Sequence, residues 1–234
     1  MSLDEIREAF ISGAAVIQKA VSWRNDRVAE LSSTRPIQRY PIWAAVHICP
    51  LVAFSSLTPR FDPQSQHQSG EYQLRTPADY GSGRPNYLGW LVETRDREDK
   101  LFESVQVFRD FRMEVLLGAG DERPSGLVFW SGVFESSLGE WLARFQKWAA
   151  HFEFPFPALV FISLMGTEDT LIVDDYNRYQ TSEPVLLLEP SFIEDIKFEP
   201  RSVLKPSYDH LYQSYGFASS PYFDEQGNWR PRRR

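Results

Sequence analysis

The sequence predicts an α+β fold: a single domain over residues 1–234 in which a mixed, largely antiparallel sheet carries helices packed on it. Three observations lead there. Apolar residues recur at helical steps over 3–31 and again up to His151. The stretches 42–54, 127–134 and 157–165 are apolar on both parities, as in strands covered on both faces. Between them, residues 87–117 break into short strand-like pieces joined by tight turns, the signature of an antiparallel meander.

Taken in order, Leu3, Ile6, Phe10, Ala14, Ile17, Val21, Val28 and Leu31 form one helical stripe. Ser2 with Glu5 reads as a capping box, and Pro36 blocks continuation. Arg24 falls on the stripe between Val21 and Val28. The run from Pro41 to Phe54 suits a buried strand interrupted at Pro50. Residues 55–86 hold no sustained period and read as a long irregular loop, a lid, binding loop or wrapping segment. Strands follow at 87–94, 102–108 and 112–117, with Arg109-Asp110-Phe111 as a tight hairpin. Residues 118–125 read as a turn-rich link and 127–134 as a strand. Ser136 or Ser137 is placed to cap a helix reaching about His151, and a strand is expected over 156–164. Residues 166–183 are acidic and polar, 184–189 suit a short strand, and 203–215 a short helix with Pro206 near its start.

Charge narrows the partners. The chain carries 25 Lys and Arg against 32 Asp and Glu, a net charge of −7. Four of the arginines, Arg230, Arg232, Arg233 and Arg234, lie in a basic tail at 229–234, so the body is more acidic still. Such a body repels phosphate backbones, whose nonspecific affinity comes from cations displacing counterions. Nucleic acid is therefore expected only as a weak, salt-sensitive contact of the tail. The longest apolar runs are too short to span a bilayer, so no membrane association is expected. Cys49 stands alone, and Asp4, Glu5 and Glu8 occupy the place where a signal peptide needs positive charge. Both features suit a cytoplasmic protein.

The usual catalytic signatures are missing. No Gly-rich phosphate loop ends in Lys-Ser/Thr, no Gly-x-Ser-x-Gly occurs, and the histidines at 47, 67, 151 and 210 lack metal-ligand spacing, so no cofactor is expected. One enzyme pattern stands out: Asp174 or Asp175 followed by Asp195 and Lys197, two carboxylates for a divalent cation and a lysine for a phosphate. A second constellation is polar in apolar surroundings: Arg24, Arg27, His47, Arg109 and Glu114. A guanidinium on the apolar stripe needs an acceptor, because an unpaired buried charge is costly. Either Arg24 is held by a carboxylate such as Glu114 or by strand carbonyls, with His47 a satisfied core residue, or these groups line a pocket for an anion. Cys49 reads as a small core residue.

Several motifs carry a family resemblance. Arg7-Glu-Ala-Phe10, Trp23-Arg24-Asn-Asp-Arg27-Val28, Val46-His47-Ile48-Cys49-Pro50-Leu51 with Phe54, Val105-Gln106-Val107-Phe108-Arg109, Leu204-Lys205-Pro206 through Gly216, and Tyr222 through Trp229 follow one another in order. Together they resemble the region that follows the Schlafen/AlbA-2-type domain in many bacterial proteins. In that family the preceding domain is the DNA- or RNA-binding part, with a Glu-rich strand signature and a glycine pair. This chain shows neither, and Asp110-Phe111 stands where the family places a tight Asn-Gly turn. The resemblance implies a bacterial companion module beside a nucleic-acid-handling protein, without the nucleic-acid activity itself.

The leading expectation is a non-catalytic binding or regulatory module that contacts another protein or itself. The others are a metal-dependent phosphodiesterase or nuclease using Asp174, Asp175, Asp195 and Lys197, and a small-molecule anion sensor using Arg24, Arg27, His47 and Arg109.

Overall fold

A computed structural model describes residues 3–55, 58–68, 70–174 and 177–230. The chain opens with α1 (Leu3–Thr34), a helix about 48 Å long at 1.5 Å per residue. It stops two residues before Pro36, and Arg35 between them turns to a positive φ and returns its N–H to the Leu31 carbonyl. Ser2, the expected capping residue, lies outside the described residues.

Strand β1 (Ile42–Pro50) is buried along its whole length. It gives way to a 3-10 turn, Leu51–Phe54, so Pro50 ends the strand where an interruption was expected. Segment 55–86 is more ordered than its composition suggests. It contains α2 (Pro63–Gln68), a further 3-10 turn and β2 (Ser82–Pro85). Those elements are short and polar, and tertiary partners hold them. β2 lies against Trp90, whose ring packs so closely over Gly83 that a Cβ there would meet it at 2.4 Å.

The meander is β3 (Gly89–Arg95), β4 (Leu101–Phe108) and β5 (Met113–Arg123). β5 runs through the stretch expected to be a link. Gly118 and Gly120 serve close packing there: a Cβ at 118 would lie 2.1 Å from the Tyr40 ring. Next come β6 (Gly126–Phe129) and α3 (Ser131–His151). The helix therefore begins well before Ser136 and Ser137, and the expected strand at 127–134 is cut to half. Phe134 belongs to the helical stripe that continues through Leu138, Trp141, Phe145 and Trp148, all buried.

β7 (Ala158–Met165) is followed by the hairpin β8 (Leu171–Asp174) and β9 (Asn177–Gln180), within the stretch that read only as acidic and polar. β10 (Val185–Leu187), β11 (Ser191–Ile193) and α4 (Lys205–Ser214) complete the order. Pro206 sits in the first turn of α4, where its missing N–H is harmless.

Among the described residues the eleven strands form one sheet, ordered β10-β7-β1-β5-β4-β3-β2. β11 adds to β7, while β6, β8 and β9 extend from β5. Every pairing is antiparallel except the bridge between β6 and β8. The fold is thus α+β with a mixed, mostly antiparallel sheet.

Alternation along β1 sorts the two faces. Ile42, Ala44, Val46 and Ile48 join the main core under α3 and α4, together with Val160, Ile162 and Leu164 of β7. Trp43, Ala45 and Cys49 point the other way, into two smaller clusters under α1 with Val28, Leu31 and Ala20. α1 and α3 therefore cover opposite faces.

Candidate functional site

Strand register places the polar candidates in one row. Phe161 of β7 pairs His47 of β1, His47 pairs Glu114 of β5, and Glu114 pairs Gln106 of β4. The row lies on the face covered by α1, whose residues 24 and 27 project toward it one turn apart.

Arg27 takes the carboxylate. Its Nε donates to Glu114 Oε2 at 2.9 Å and its Nη2 to Oε1 at 2.8 Å, a two-pronged pair. Nη1 reaches back to Glu30 Oε2 at 2.5 Å. His47 Nε2 lies 3.1 Å from the same Glu114 Oε2, which makes Nε2 the protonated nitrogen. Burial pushes the Glu114 carboxyl up, but the hydrogen bonds and charges of His47 and Arg27 outweigh it and hold it below the ordinary range. Arg27, likewise penalised by burial, is raised by its carboxylates. Glu114 thus has both oxygens engaged in tying α1 to the sheet.

Among the described residues Arg24 meets neither Glu114 nor the strand carbonyls, the two structural acceptors expected for it. Its Nε donates to Asn25 Oδ1 at 2.9 Å, and its guanidinium lies 5.0 Å from the centre of the Phe161 ring. Nη1 is buried with no hydrogen-bond partner among the described residues, and burial lowers the pKa. One turn of helix decides the difference: the register puts the carboxylate one strand beyond His47, within reach of Arg27, and leaves an aromatic ring beneath Arg24. Trp23 packs edge-on to His47 and to Phe108, with ring centres 5.1 and 5.7 Å apart, and seals the row from the meander side. Cys49 is buried, and burial raises its thiol far above the usual range.

Arg109 stands apart from this cluster, at the tip of the β4–β5 hairpin. There Phe108 N–H bonds the Arg112 carbonyl at 2.8 Å and Phe111 N–H the Phe108 carbonyl at 3.1 Å. Phe111 takes a φ of 66°, a left-handed geometry unusual for a bulky residue. Its ring compensates by burying against Phe61, Trp148 and Phe154.

Three loops meet on Arg109. Its N–H donates to the Leu88 carbonyl at 3.0 Å, its carbonyl accepts Phe61 N–H at 2.8 Å, and its Nε donates to the Tyr87 carbonyl at 3.1 Å. The two terminal amino groups take no protein partner among the described residues, and Arg109 is exposed on the wall of a cleft. That cleft, about 650 Å³, is lined by Arg60, Arg109 and Arg112, with Phe61, Tyr87 and Asp110 among its walls. Asp110 is the one acid among these lining residues, and it pairs with Arg112 through Nε at 2.8 Å and Nη2 at 2.6 Å. Arg112 also lies 4.6 Å from the Trp23 ring centre, which fixes it as part of the wall. Arg60 and Arg109 are left as exposed cations.

Arg60, Arg112 and Tyr87 escaped the sequence reading. Arg60 sits in a stretch without period, and Arg112 reads as the first residue of a strand. The available signal was the spacing Arg109-Asp-Phe-Arg112 across a hairpin tip, which puts two cations around one acid.

The other candidates lie elsewhere. Asp174 ends β8, on the extension from β5, whereas Asp195 follows β11, which adds to β7. Asp195 Oδ1 accepts Lys197 N–H at 2.7 Å in a local turn. Asp175 lies outside the described residues. Among the described residues no group of three or more His, Cys, Asp and Glu is placed to hold a metal ion. Of the tail, Trp229 pairs with Phe223 and packs under Arg201, and Arg230 Nη2 bonds Asp224 at 2.9 Å. Arg232, Arg233 and Arg234 lie outside the described residues. No helix among the described residues is long and apolar enough to cross a membrane. No family model, curated protein or solved structure matches the chain.

Proposed function

We propose that this chain is a non-catalytic binding and regulatory module that takes a small anion in the Arg60–Arg109–Arg112 cleft, beside a nucleic-acid-handling bacterial protein. One observation carries the reading: Arg109, at a hairpin tip, is anchored by its backbone and Nε to two further loops, while its terminal amino groups take no protein partner among the described residues and the residue lines the cleft. Such a group meets an anion without first being ordered, which lowers the entropic cost of binding. Its setting reinforces this. In a chain of net charge −7, a cleft whose wall carries three arginines and one aspartate is a local positive field in negative surroundings. Of the four residues grouped as an anion site from sequence, this assigns only Arg109 to the ligand; Arg24, Arg27 and His47 belong to the seam under α1.

The experiment is a thermal melt with millimolar inorganic pyrophosphate at low ionic strength. A ligand bound by the folded state alone raises the melting temperature. The reading requires a rise that disappears in Arg109→Ala and shrinks at high salt. No rise in the unaltered chain removes it.

Contact with another protein or a second copy has one feature in its favour. β2 closes one end of the strand order with all four of its residues exposed, and the neighbouring Tyr80 and Tyr87 are exposed as well. Light scattering over a range of concentrations tests this, and a strict monomer that retains no partner counts against it.

A further inference from the structure

We infer that the anion taken by the cleft is a nucleoside polyphosphate, its phosphates on Arg60 and Arg109 and its base against Tyr87. The inference rests on the reading above and adds the ligand's other half.

Tyr87 is 92% exposed, yet it sits on an ordered turn. Asn86 holds that turn at both ends. Its N–H donates to the Gly89 carbonyl at 2.8 Å, its Oδ1 accepts Gly89 N–H at 2.8 Å, and its Nδ2 donates to Gln106 Oε1 at 2.7 Å. Arg109 Nε then binds the Tyr87 carbonyl itself. The cation and the backbone that carries the aromatic ring are therefore joined by one hydrogen bond, and both residues line the same cleft. An aromatic ring offered to solvent beside arginines is the pairing that binds nucleotides, because every base has a π-face to stack and every phosphate a charge to meet.

The hollow continues past Arg109. Beyond Arg109 the cleft adjoins a second space of about 380 Å³ lined by Asp62, Pro63, Gln64, His67 and Pro85. Arg109 is shared by both walls. Arg60, Arg112 and Tyr87 line only the first space, so the cations and the aromatic ring that the inference uses lie together there. Both volumes fall in the range of small-ligand sites, roughly 300–1,000 Å³. A nucleic-acid polymer is disfavoured by the same charges: its further phosphates would run out over a chain of net charge −7.

Titration calorimetry of the full chain at low salt decides between these. The probes are adenosine and guanosine triphosphates, inorganic tripolyphosphate, and a single-stranded oligonucleotide. The expected result is that a nucleoside triphosphate binds about tenfold or more tighter than tripolyphosphate, and that Tyr87→Ala removes this advantage without weakening tripolyphosphate. Arg109→Ala should weaken both. Equal affinities with no effect of Tyr87→Ala overturn the nucleotide assignment and leave the anion reading standing. Silence from every probe overturns both. An oligonucleotide that outcompetes the triphosphates overturns the small-ligand assignment. Tyr87 is nearly all in solvent, so its truncation leaves the fold intact.

Discussion

Against the same central strands, α3 lays Phe134, Leu138, Trp141, Leu142, Phe145 and Trp148, whereas α1 lays Ala20, Arg24, Arg27, Val28 and Leu31 over a row containing His47 and Glu114. The α3 side is held by close-packed aromatic and aliphatic groups, which attract without direction. The α1 side adds a directional lock: a guanidinium, a carboxylate and an imidazole that fit in one register. Apolar packing under α3 supplies bulk stability. The seam under α1 fixes where the helix sits and, through Trp23 and Arg112, adjoins the cleft that Arg109 faces.

Truncation on the apolar side should cost the most. Phe145 is fully buried, with aromatic neighbours in Trp141, Trp148 and Phe154. Phe145→Ala should cost about 3–5 kcal/mol in urea unfolding, from lost burial and the cavity left behind. A loss near 1 kcal/mol would mean that the α3 side is not the main source of stability.

Truncating the seam should cost somewhat less. Glu114→Ala leaves Arg27 and the buried His47 without their shared acceptor, for about 2–4 kcal/mol. Arg27 retains water access and Glu30, which softens the loss. The sharper variant replaces all three groups at once, Arg27→Met, His47→Leu and Glu114→Met. A lock that specifies position more than it stabilises predicts that this triple change recovers most of the loss in the same unfolding measurement.

The two sides also titrate in opposite directions. Glu114 is depressed in the fold, so its contribution is full above the ordinary carboxylate range and fades as pH falls through the lowered value. Glu135, on α3, is pushed up to about 8 by burial, so the fold keeps it neutral. The unfolded chain ionises near 4.5, and the fold therefore loses stability as pH rises from about 4.5 to about 8. Glu135→Gln should remove that loss, giving a gain of about 1–2 kcal/mol at pH 8 and almost none at pH 4. Unfolding curves at the two pH values check it. A gain that is the same at both contradicts burial as the cause.

Legibility in the sequence followed burial and length. β1 and β7 were readable because both parities are apolar, and α1 because its periodic run is long, although Ala14 and Ile17 of that run are exposed and its buried part lies toward Val28 and Leu31. α2, β2 and the β8–β9 hairpin were not, since each is held by tertiary pairing and not by its own pattern: β2 stands on Trp90. The start of α3 was lost to a wrong period, with Phe134 assigned to a strand when it stands four residues before Leu138. For the site, sequence flagged Arg27, His47 and Glu114 in apolar settings, and strand register then joined them. It left Arg24 open between a carboxylate such as Glu114, strand carbonyls and an anion pocket, because nothing in the sequence tells which turn of a helix faces which strand. Arg60 and Tyr87 were invisible, since a cleft made by three loops leaves no periodic trace.

The smallest effect belongs to the tail. Arg230 meets Asp224 while its side chain is 72% exposed, so Arg230→Ala should change stability by less than about 0.5 kcal/mol. A larger loss in the same unfolding experiment would place the C-terminal segment in the lock on the body.

The division between lock and site is tested most directly by measuring tripolyphosphate affinity in three proteins: the unaltered chain, Arg27→Ala and Arg109→Ala. The account predicts that Arg27→Ala lowers the melting temperature but keeps the affinity, whereas Arg109→Ala keeps the melting temperature and loses about tenfold or more in affinity. Affinity lost with Arg27 and retained without Arg109 would contradict it.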